Sequence, residues 1–424
     1  MAKQPNIVFI HVDQLKWSAI GAHGSRDVRT PGLDRIIADG MAFDRSYATV
    51  PMCVPARTSW LTGLEPTQSG VTVNSERFDS DREVAVLGEW LTDKAGYDAF
   101  YMGKWHVGLT REIENGFTWL HGKNVVGEYG DTALSCAAED FLLSPRGEAE
   151  RPFFLSVGLL NPHDIAYWEF RYSPGKFGMA ADIEDRLPPL PPNFDPRGKH
   201  PDWSELDWRF YMYSYHRLVE MVDRELERIY EAYLDSPERD NTVFIFSSDH
   251  GEGNAEHGHS QKNSPYEHCA RAVLSIIDPR GRHGRDKTHL VSGIDLAPTV
   301  CDYAGAGRMP RNHGRSLKPL VRGEAVEWRD WLATSTAILR HRIIFKGDMK
   351  LIYDRADGSV QLFDLAEDPW EMNDLTDDPE HATTVAELSA LREQYDTAEE
   401  REYSPGARAR LEAWRKRRGK RGHD

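Results

Sequence analysis

Four short apolar stretches of this chain each end in polar residues, and this repeated pattern limits the folds that the chain can adopt. The stretches are residues 6–12, 97–102, 152–160 and 242–248. Continuous apolar runs of this length are typical of parallel strands that are buried on both faces. Helical patterns separate them at residues 31–40, 84–94 and 211–234, and a fifth strand is predicted at 272–277. Alternating strands and helices predict an α/β fold, with a doubly wound, mostly parallel sheet flanked by helices.

The pattern changes after about residue 322. Short strands are predicted at 342–345, 349–353 and 360–363, and Asp357-Gly358 between the last two is typical of a hairpin turn. A long charged helical segment begins near residue 379. We therefore expect a catalytic domain at residues 1–322 and a smaller C-terminal antiparallel α+β domain at 323–424, which ends in a basic tail.

Charge and composition exclude several classes of partner. The formal net charge is -16, which argues against a general nucleic-acid binder because phosphate backbones require a basic surface. The basic stretch at 415–421 is interpreted as a solvated tail, with contact to an anionic partner as the alternative. No run is long enough to span a bilayer and no export signal is recognised, so we expect a cytoplasmic location without a membrane partner.

The segment Cys53-Val54-Pro55-Ala56-Arg57 has the features of a helix start. Proline is favoured in the first turn of a helix, and Gly63 is suited to its end. Cys53 would then lie at a helix N-terminus, where free backbone N–H groups and the helix dipole attract anions. A buried cysteine that only precedes a helix explains these residues equally well.

Polar residues at the predicted strand ends are expected to share one site, because ligands bind beyond the carboxyl ends of parallel strands. They are Asp13 with Gln14, Lys104 with His106, His163, and Asp249 with His250. Carboxylates with an imidazole and an amide oxygen suit a divalent cation. The alternatives are that the aspartates cap turns and that the histidines are ordinary loop residues. His257 and His259 are assigned no metal, because an isolated His-x-His pair in a polar loop is weak evidence for one.

These motifs together resemble those of the type I sulfatases of the alkaline phosphatase superfamily, from residue 6 to about residue 378. The motifs are Cys53-x-Pro55-x-Arg57 with Leu61-Thr62-Gly63, Gly103-Lys104-Trp105-His106, Asn161-Pro162-His163, Ser248-Asp249-His250-Gly251, Lys262, and Leu362-Phe363-Asp364-Leu365 before Asp368-Pro369. The resemblance implies an alkaline phosphatase-like fold and hydrolysis of a sulfate monoester to an alcohol and sulfate. The substrate would be a small-molecule or carbohydrate sulfate ester.

The resemblance also implies a modified nucleophile and a metal. A formylglycine-generating enzyme would oxidise Cys53 to formylglycine during maturation. One divalent cation, for which Ca²⁺ is preferred over Mn²⁺ or Mg²⁺, would be held by Asp13, Gln14, Asp249 and His250 together with the modified Cys53.

The remaining motif residues receive catalytic roles from the same resemblance. Arg57 would steady the formylglycine hydrate, and Lys104, Lys262 and His163 would neutralise the sulfate oxygens. His163 or Lys262 would protonate the leaving oxygen, and His106 would be the base that eliminates sulfate. Lys262 rests on its sequence position alone, and a surface lysine is the alternative.

Two residues depart from the commonest sulfatase pattern. Gln14 stands in place of a second aspartate, and His250 in place of an asparagine. This combination also resembles the phosphonate monoester and phosphodiester hydrolases, so that activity is the second hypothesis. A non-catalytic anion-binding or metal-binding relative is the third. Glu252 is a further candidate for the pocket wall. Trp203 and Trp208 are predicted either to stack on a sugar or aryl group or to lie in the core or an interface. The sequence leaves a homo-oligomer open.

Overall fold

The computed structural model describes residues 3–78, 84–108, 115–122, 126–145, 151–171, 183–403, 408–409 and 412, so the predicted basic tail at 415–421 lies outside the described residues. Its strands are β1 (Asn6–Val12), β2 (Met41–Phe43), β3 (Ser46–Tyr47), β4 (Asp98–Gly103), β5 (Thr118–His121), β6 (Phe153–Leu159), β7 (Thr242–Ser248), β8 (Leu274–Ile277), β9 (Gly284–Asp286), β10 (Val291–Ser292), β11 (Trp331–Ser335), β12 (His341–Lys346), β13 (Met349–Asp354) and β14 (Val360–Asp364). Its α-helices are α1 (Pro31–Asp39), α2 (Cys53–Thr62), α3 (Pro66–Ser69), α4 (Leu87–Ala95), α5 (Gly127–Leu143), α6 (Ile165–Arg171), α7 (Glu205–Asp235), α8 (Glu267–Ala270), α9 (Leu296–Ala304), α10 (Lys318–Arg322) and α11 (Ala382–Glu402).

A central eight-stranded sheet has the order β5-β4-β6-β1-β7-β8-β2-β9. β1 is parallel to both β6 and β7, and β4 is parallel to both β6 and β5. The predicted mostly parallel sheet is therefore confirmed. Every residue of β1, β6 and β7 is buried, as expected for strands that helices cover on both faces.

Alternate residues of β1 pack into two separate hydrophobic cores. Ile7 and Phe9 lie in one core with residues of α2, α4 and α9. Val8 and Ile10 lie in the other core with residues of α1, α5 and α7. Because successive side chains of a strand point to opposite faces, the sheet is sandwiched between two helical layers, which is the doubly wound arrangement.

The predicted fifth strand is present as β8, but unlike the parallel strands at the centre of the sheet it runs antiparallel to β7. The connection between these strands explains the difference. Gly251 N–H donates to the carbonyl of Cys269, and Glu252 N–H donates to the carbonyl of His268. These bonds keep the connection at the edge where β7 ends, so β8 starts from that edge. If β8 were parallel to β7, the chain would first have to cross over to the opposite edge of the sheet.

The segment at 165–208 is more regular than its sequence pattern indicates. The structure describes α6 within it, and α7 begins at Glu205 instead of 211. Ser204 and Asp207 form a capping box at the start of α7, a local signal that our prediction missed. Trp203 and Trp208 pack with Met212 in a hydrophobic cluster, which supports the core alternative for these two residues.

A second, four-stranded antiparallel sheet has the order β11-β12-β13-β14. The turn containing Asp357 and Gly358 joins β13 to β14 as predicted, although β11 was missed. Leu388 of α11 packs on one face of this sheet, and Tyr47 and Ala270 pack on the other. The smaller antiparallel α+β region is thus confirmed, while the boundary between residues 322 and 323 stays a prediction.

Arg342 joins α11 to the small sheet through buried charges. Its guanidinium donates to Asp396 Oδ1 at 2.9 Å and pairs with Glu399. Breaking a buried ion pair by removing one partner costs about 3–5 kcal/mol. We expect Arg342→Met to lower the free energy of unfolding by about that amount, measured by denaturant titration. Arg35→Met removes an exposed pair with Glu231 and should have little effect; equal losses would contradict this account.

No helix within the described parts of the chain is long and apolar enough to cross a membrane.

Candidate active site

The carboxyl ends of β1, β4, β6 and β7 lie along one edge of the central sheet. Asp13 directly follows β1, Lys104 follows β4 and Asp249 follows β7, while His163 lies on the loop after β6. The strand register continues into these residues, since Asp249 N–H donates to the carbonyl of Val12 and Lys104 N–H to that of Gly158. The structure therefore brings Asp13, Lys104, His163 and Asp249 to one place.

Cys53 is the first residue of α2, and its thiol lies within this group. Its Sγ is 3.0 Å from Lys262 Nζ, 3.3 Å from His250 Nε2 and 3.5 Å from Asp13 Oδ1. The whole of α2 is buried, and it ends at Gly63 in the left-handed conformation as its sequence predicts. The helix start thus points at a polar site, and Lys262 belongs to that site instead of the surface.

Four residues here offer a compact set of metal-ligand atoms. Ligand atoms of Asp13, Cys53, Asp249 and His250 all lie within 4.8 Å of one another, and all four side chains are buried. His250 Nδ1 lies 2.8 Å from the carbonyl oxygen of Gly251. Because a carbonyl oxygen can only accept, Nδ1 must carry the proton and donate this hydrogen bond. In the neutral imidazole, His250 Nε2 therefore carries the lone pair, and it faces Cys53. Two carboxylates and this nitrogen fit a divalent cation.

Gln14 adds an amide oxygen to the same place. Its Oε1 accepts from Lys262 Nζ at 3.0 Å, and its Nε2 donates to Glu252 Oε2 at 2.5 Å. Its backbone is fixed as well, because its N–H donates to Asp249 Oδ1 at 2.9 Å and its carbonyl accepts from the Tyr215 hydroxyl at 2.8 Å. The amide oxygen thus faces the site and the amide nitrogen faces away from it.

Arg57 lies beneath the two carboxylates and bridges them. Its Nε donates to Asp249 Oδ2 at 2.8 Å and its Nη2 donates to Asp13 Oδ2 at 3.1 Å. A third bond joins Nη1 to His11 Nδ1 at 3.0 Å. The guanidinium is only 1% exposed. These contacts support a role in positioning the carboxylates; the predicted contact of Arg57 with a formylglycine hydrate stays a prediction.

The site carries strong and opposed electrostatic effects. Burial acts to raise the pKa of Asp13, but the ammonium of Lys104 and neighbouring positive groups hold that pKa well below its usual value. Burial, followed by the Asp13 carboxylate, raises the pKa of Asp249. Burial and Asp13 also act to raise the pKa of Cys53, yet Lys262 and Lys104 outweigh them and lower it well below the usual thiol value. A site that favours a thiolate in this way also favours other anions.

His163 and His106 have unsatisfied ring nitrogens. Burial and then Lys104 lower the pKa of His163 to about 3, so its imidazole is neutral near pH 7. Among the described residues, the Nδ1 atoms of His163 and His106 are buried without a hydrogen-bond partner. Unsatisfied buried groups cost free energy, and a polar ligand would recover it. The catalytic roles of both histidines stay predictions.

Sequence reasoning missed several residues that hold this site together. His11 accepts from Arg57, the Tyr215 hydroxyl donates to the Gln14 carbonyl, and Asn74 Oδ1 accepts the Val54 N–H at 3.1 Å beside Cys53. These contacts join residues far apart in the chain, so no local pattern identifies them. Only the sequence position of Glu252 suggested that it lies near the site, because it closely follows Asp249. Its contact with Gln14 was not predicted.

Comparisons with known families cover most of the chain. Residues 5–306 match the family model described as "Sulfatase". Residues 255–397 match the model described as "N-sulphoglucosamine sulphohydrolase, C-terminal". The chain is also 26% identical over 448 residues to the Delta 4,5-hexuronate-2-O-sulfatase of Bacteroides thetaiotaomicron, an alignment that covers 95% of this chain and 90% of that protein.

Solved structures share the fold. A 2-O GAG sulfatase matches with a TM-score of 0.81 and 24% identity, covering 94% of this chain and 93% of that one. The phosphonate monoester hydrolase of Agrobacterium radiobacter matches with a TM-score of 0.69 and 21% identity, covering 92% and 96%. Likenesses at these identities show the fold alone, and the predicted fold class is confirmed.

Proposed function

The chain belongs to the sulfatase family and is a sulfuric ester hydrolase, and we propose on that premise that it acts through a formylglycine made from Cys53 and a bound divalent cation. The substrate is a sulfate monoester, which is cleaved to an alcohol and sulfate. We further propose that a formylglycine-generating enzyme acts on the chain during maturation.

The position of Cys53 is the observation that carries this proposal. Cys53 is the first residue of a buried helix, and its thiol lies within hydrogen-bonding distance of Lys262 and His250. A nucleophile in this position has the ammonium group of Lys262 beside it and the candidate metal-ligand atoms around it. Formylglycine supplies, when hydrated, one hydroxyl that attacks sulfur and a second whose proton is lost as the aldehyde re-forms.

The donor set supports a cation at Asp13, Gln14, Asp249 and His250. Its oxygen-rich character favours Ca²⁺, with Mg²⁺ or Mn²⁺ as alternatives. When bound, the cation supplies Lewis acidity that polarises the ester and lowers the pKa of a neighbouring hydroxyl. Gln14 and His250 contribute neutral ligand atoms, so Asp13 and Asp249 provide the negative charge of the set.

Lys104 and Lys262 hold the negative charge of the sulfate group. Lys262 Nζ contacts Cys53 Sγ, and Lys104 pairs with Asp13, so both ammonium groups lie beside the nucleophile. Fixed charges in a buried site stabilise developing charge more strongly than water does. The two lysines therefore orient the sulfur for attack opposite the leaving alcohol.

Proton transfers fall to the remaining candidates. His163 is neutral before the substrate binds, because its pKa is lowered to about 3, and it can hydrogen bond to the ester. An incoming anion raises the proton affinity of His163, which then takes up a proton from solvent and passes it to the leaving oxygen, together with or in place of Lys262. His106 removes the proton that releases sulfate from the nucleophile.

A sulfated carbohydrate is the proposed substrate class, because the relative named above is a hexuronate-2-O-sulfatase. Hydrolysis of a phosphonate monoester or phosphodiester is the second candidate. It is favoured by the presence of both Gln14 and His250 in the motifs. Comparing kcat/KM for an aryl sulfate and an aryl phosphodiester with the same phenol separates the two. We expect the sulfate to be preferred, and a strong preference for the phosphodiester would contradict the proposal.

Metal removal is expected to lower stability as well as activity. A ligand at about 100 times its Kd stabilises the folded state by about 2.7 kcal/mol. Adding Ca²⁺ to chelator-treated protein should therefore raise the melting temperature, measured by calorimetry. Asp249→Asn removes a carboxylate of the donor set and should reduce this Ca²⁺-dependent increase. An increase of the same size in both proteins would place the cation elsewhere.

A further inference from the structure

We propose that Glu252 is a positioning residue, which orients the amide of Gln14 so that its oxygen faces the cation. This inference rests on the metal site of the proposed function. Glu252 is a buried acid that contacts the site residues, although it belongs to neither the ligand set nor the catalytic groups.

Glu252 is fully buried, and its two oxygens have different partners. Oε1 accepts from the Tyr211 hydroxyl at 2.8 Å, from Asn254 N–H at 3.2 Å and from Gln261 N–H at 2.5 Å. Oε2 accepts from Gln14 Nε2 at 2.5 Å. The three donors on Oε1 hold the carboxylate in place, and they leave Oε2 directed at the Gln14 side chain.

The two ends of the Gln14 amide are therefore determined by their neighbours. A carboxylate can only accept, so the amide group beside Glu252 must be the NH₂ donor. A lysine ammonium can only donate, so the group beside Lys262 must be the carbonyl oxygen. Both contacts require the same orientation, in which the oxygen lies on the side of Lys262 and Cys53.

A glutamine ligand needs such a partner, whereas an aspartate does not. Both oxygens of a carboxylate can bind a cation, but an amide in the wrong orientation presents two N–H groups to it. Residues that hydrogen bond to metal ligands fix the orientation of those ligands. Gln14 is neutral and adds no negative charge of its own to the site. The carboxylate of Glu252 supplies one next to it.

Glu252→Gln tests this, because it preserves the shape of the side chain but replaces the acceptor Oε2 with an NH₂ donor and removes the negative charge. The donors around Oε1 keep the new amide oxygen in that position, so its NH₂ group replaces Oε2 and meets the NH₂ of Gln14. Gln14 must then turn its oxygen away from the site. Loss of such an orienting contact typically weakens metal affinity by about 10–100-fold, so we expect the Kd for Ca²⁺, measured by calorimetric titration, to rise by about that factor.

The double variant Gln14→Glu with Glu252→Gln provides a rescue. The carboxylate at position 14 accepts from the amide at position 252 with one oxygen and presents the other to Lys262 and the cation. We expect its Ca²⁺ affinity to recover to near that of the wild type. A purely structural role for Glu252 would not produce this recovery.

Glu256→Gln is the matched control. Glu256 is also a buried acid of the same loop, but it pairs with Lys16. This variant should bind Ca²⁺ as the wild type does, provided that circular dichroism shows it folded. Unchanged affinity in Glu252→Gln, or a double variant no better than Glu252→Gln, would overturn the inference while leaving the proposed function intact. A wild-type protein that binds no cation would contradict both.

Discussion

Cys53→Ala is expected to lower sulfate-ester hydrolysis by about 10⁴–10⁶-fold, because removing a covalent nucleophile leaves only binding and electrostatic stabilisation. The substitution removes a single sulfur atom from a side chain at the start of α2, so the fold should be retained. The measurement is kcat/KM on an aryl sulfate, with the melting temperature recorded for the same sample.

Cys301→Ala is the matched control for this variant. Cys301 is buried in the hydrophobic core of α9, so its replacement tests for the effect of losing a buried thiol. It should retain activity. Intact-protein mass spectrometry of the wild type, after co-expression with a formylglycine-generating enzyme, should show sulfur replaced by oxygen with two hydrogens lost at Cys53. Full activity of Cys53→Ala would contradict the proposed mechanism.

Arg57→Met is expected to have the second largest effect, and this effect should appear in stability as well as activity. The guanidinium bridges the carboxylates of Asp13 and Asp249 at 3.1 and 2.8 Å, and all three groups are buried. Removing one partner of a buried ion pair costs about 3–5 kcal/mol, because a charge is left without compensation. Denaturant unfolding should show a loss of that size. Arg57→Lys should also be impaired, since an ammonium cannot bridge two carboxylates as the planar guanidinium does.

Arg329→Met is a suitable control for the Arg57 variant. Arg329 makes a largely buried pair with both oxygens of Asp295, at 2.6 Å each, and it is not one of the predicted site residues. It should lose similar stability and keep its kcat/KM while folded. Because Arg57 belongs to the motif around Cys53 on which the proposed maturation enzyme would act, the formylglycine content of each variant must be measured by mass spectrometry. If Arg57→Met were as stable as the wild type, the bridging role would be wrong.

Local patterns predicted the central strands well. The bounds of β1 and β7 agree with the apolar runs at 6–12 and 242–248, because a strand buried on both faces is apolar along most of its length. The helix at Cys53 also begins and ends as predicted, since Pro55 and Gly63 impose backbone constraints on their own positions. These features depend on neighbouring residues and are therefore visible in the sequence.

Contacts between distant segments were not predictable in this way. The direction of β8 depends on a connection that folds back over the sheet edge. The start of α7 is a different case, because its capping box is a local signal that our prediction missed. The partnership of Glu252 with Gln14 joins residues that are 238 positions apart. No periodicity reports which side chains meet after the chain has folded.

The sequence by itself determined the types of residue at the strand ends and the position of Cys53 at a helix start, because both follow from local periodicity and turn chemistry. It left open whether Cys53 was a nucleophile precursor or an ordinary buried cysteine. Only the tertiary structure decided what surrounds that thiol: Lys262, His250 and Asp13 come within 3.5 Å of it. Asp13 and His250 follow strands that end at one edge of the sheet, and the connection after β7 brings Lys262 back to that edge. The same packing buries Arg57 between two carboxylates and gives Gln14 a fixed orientation.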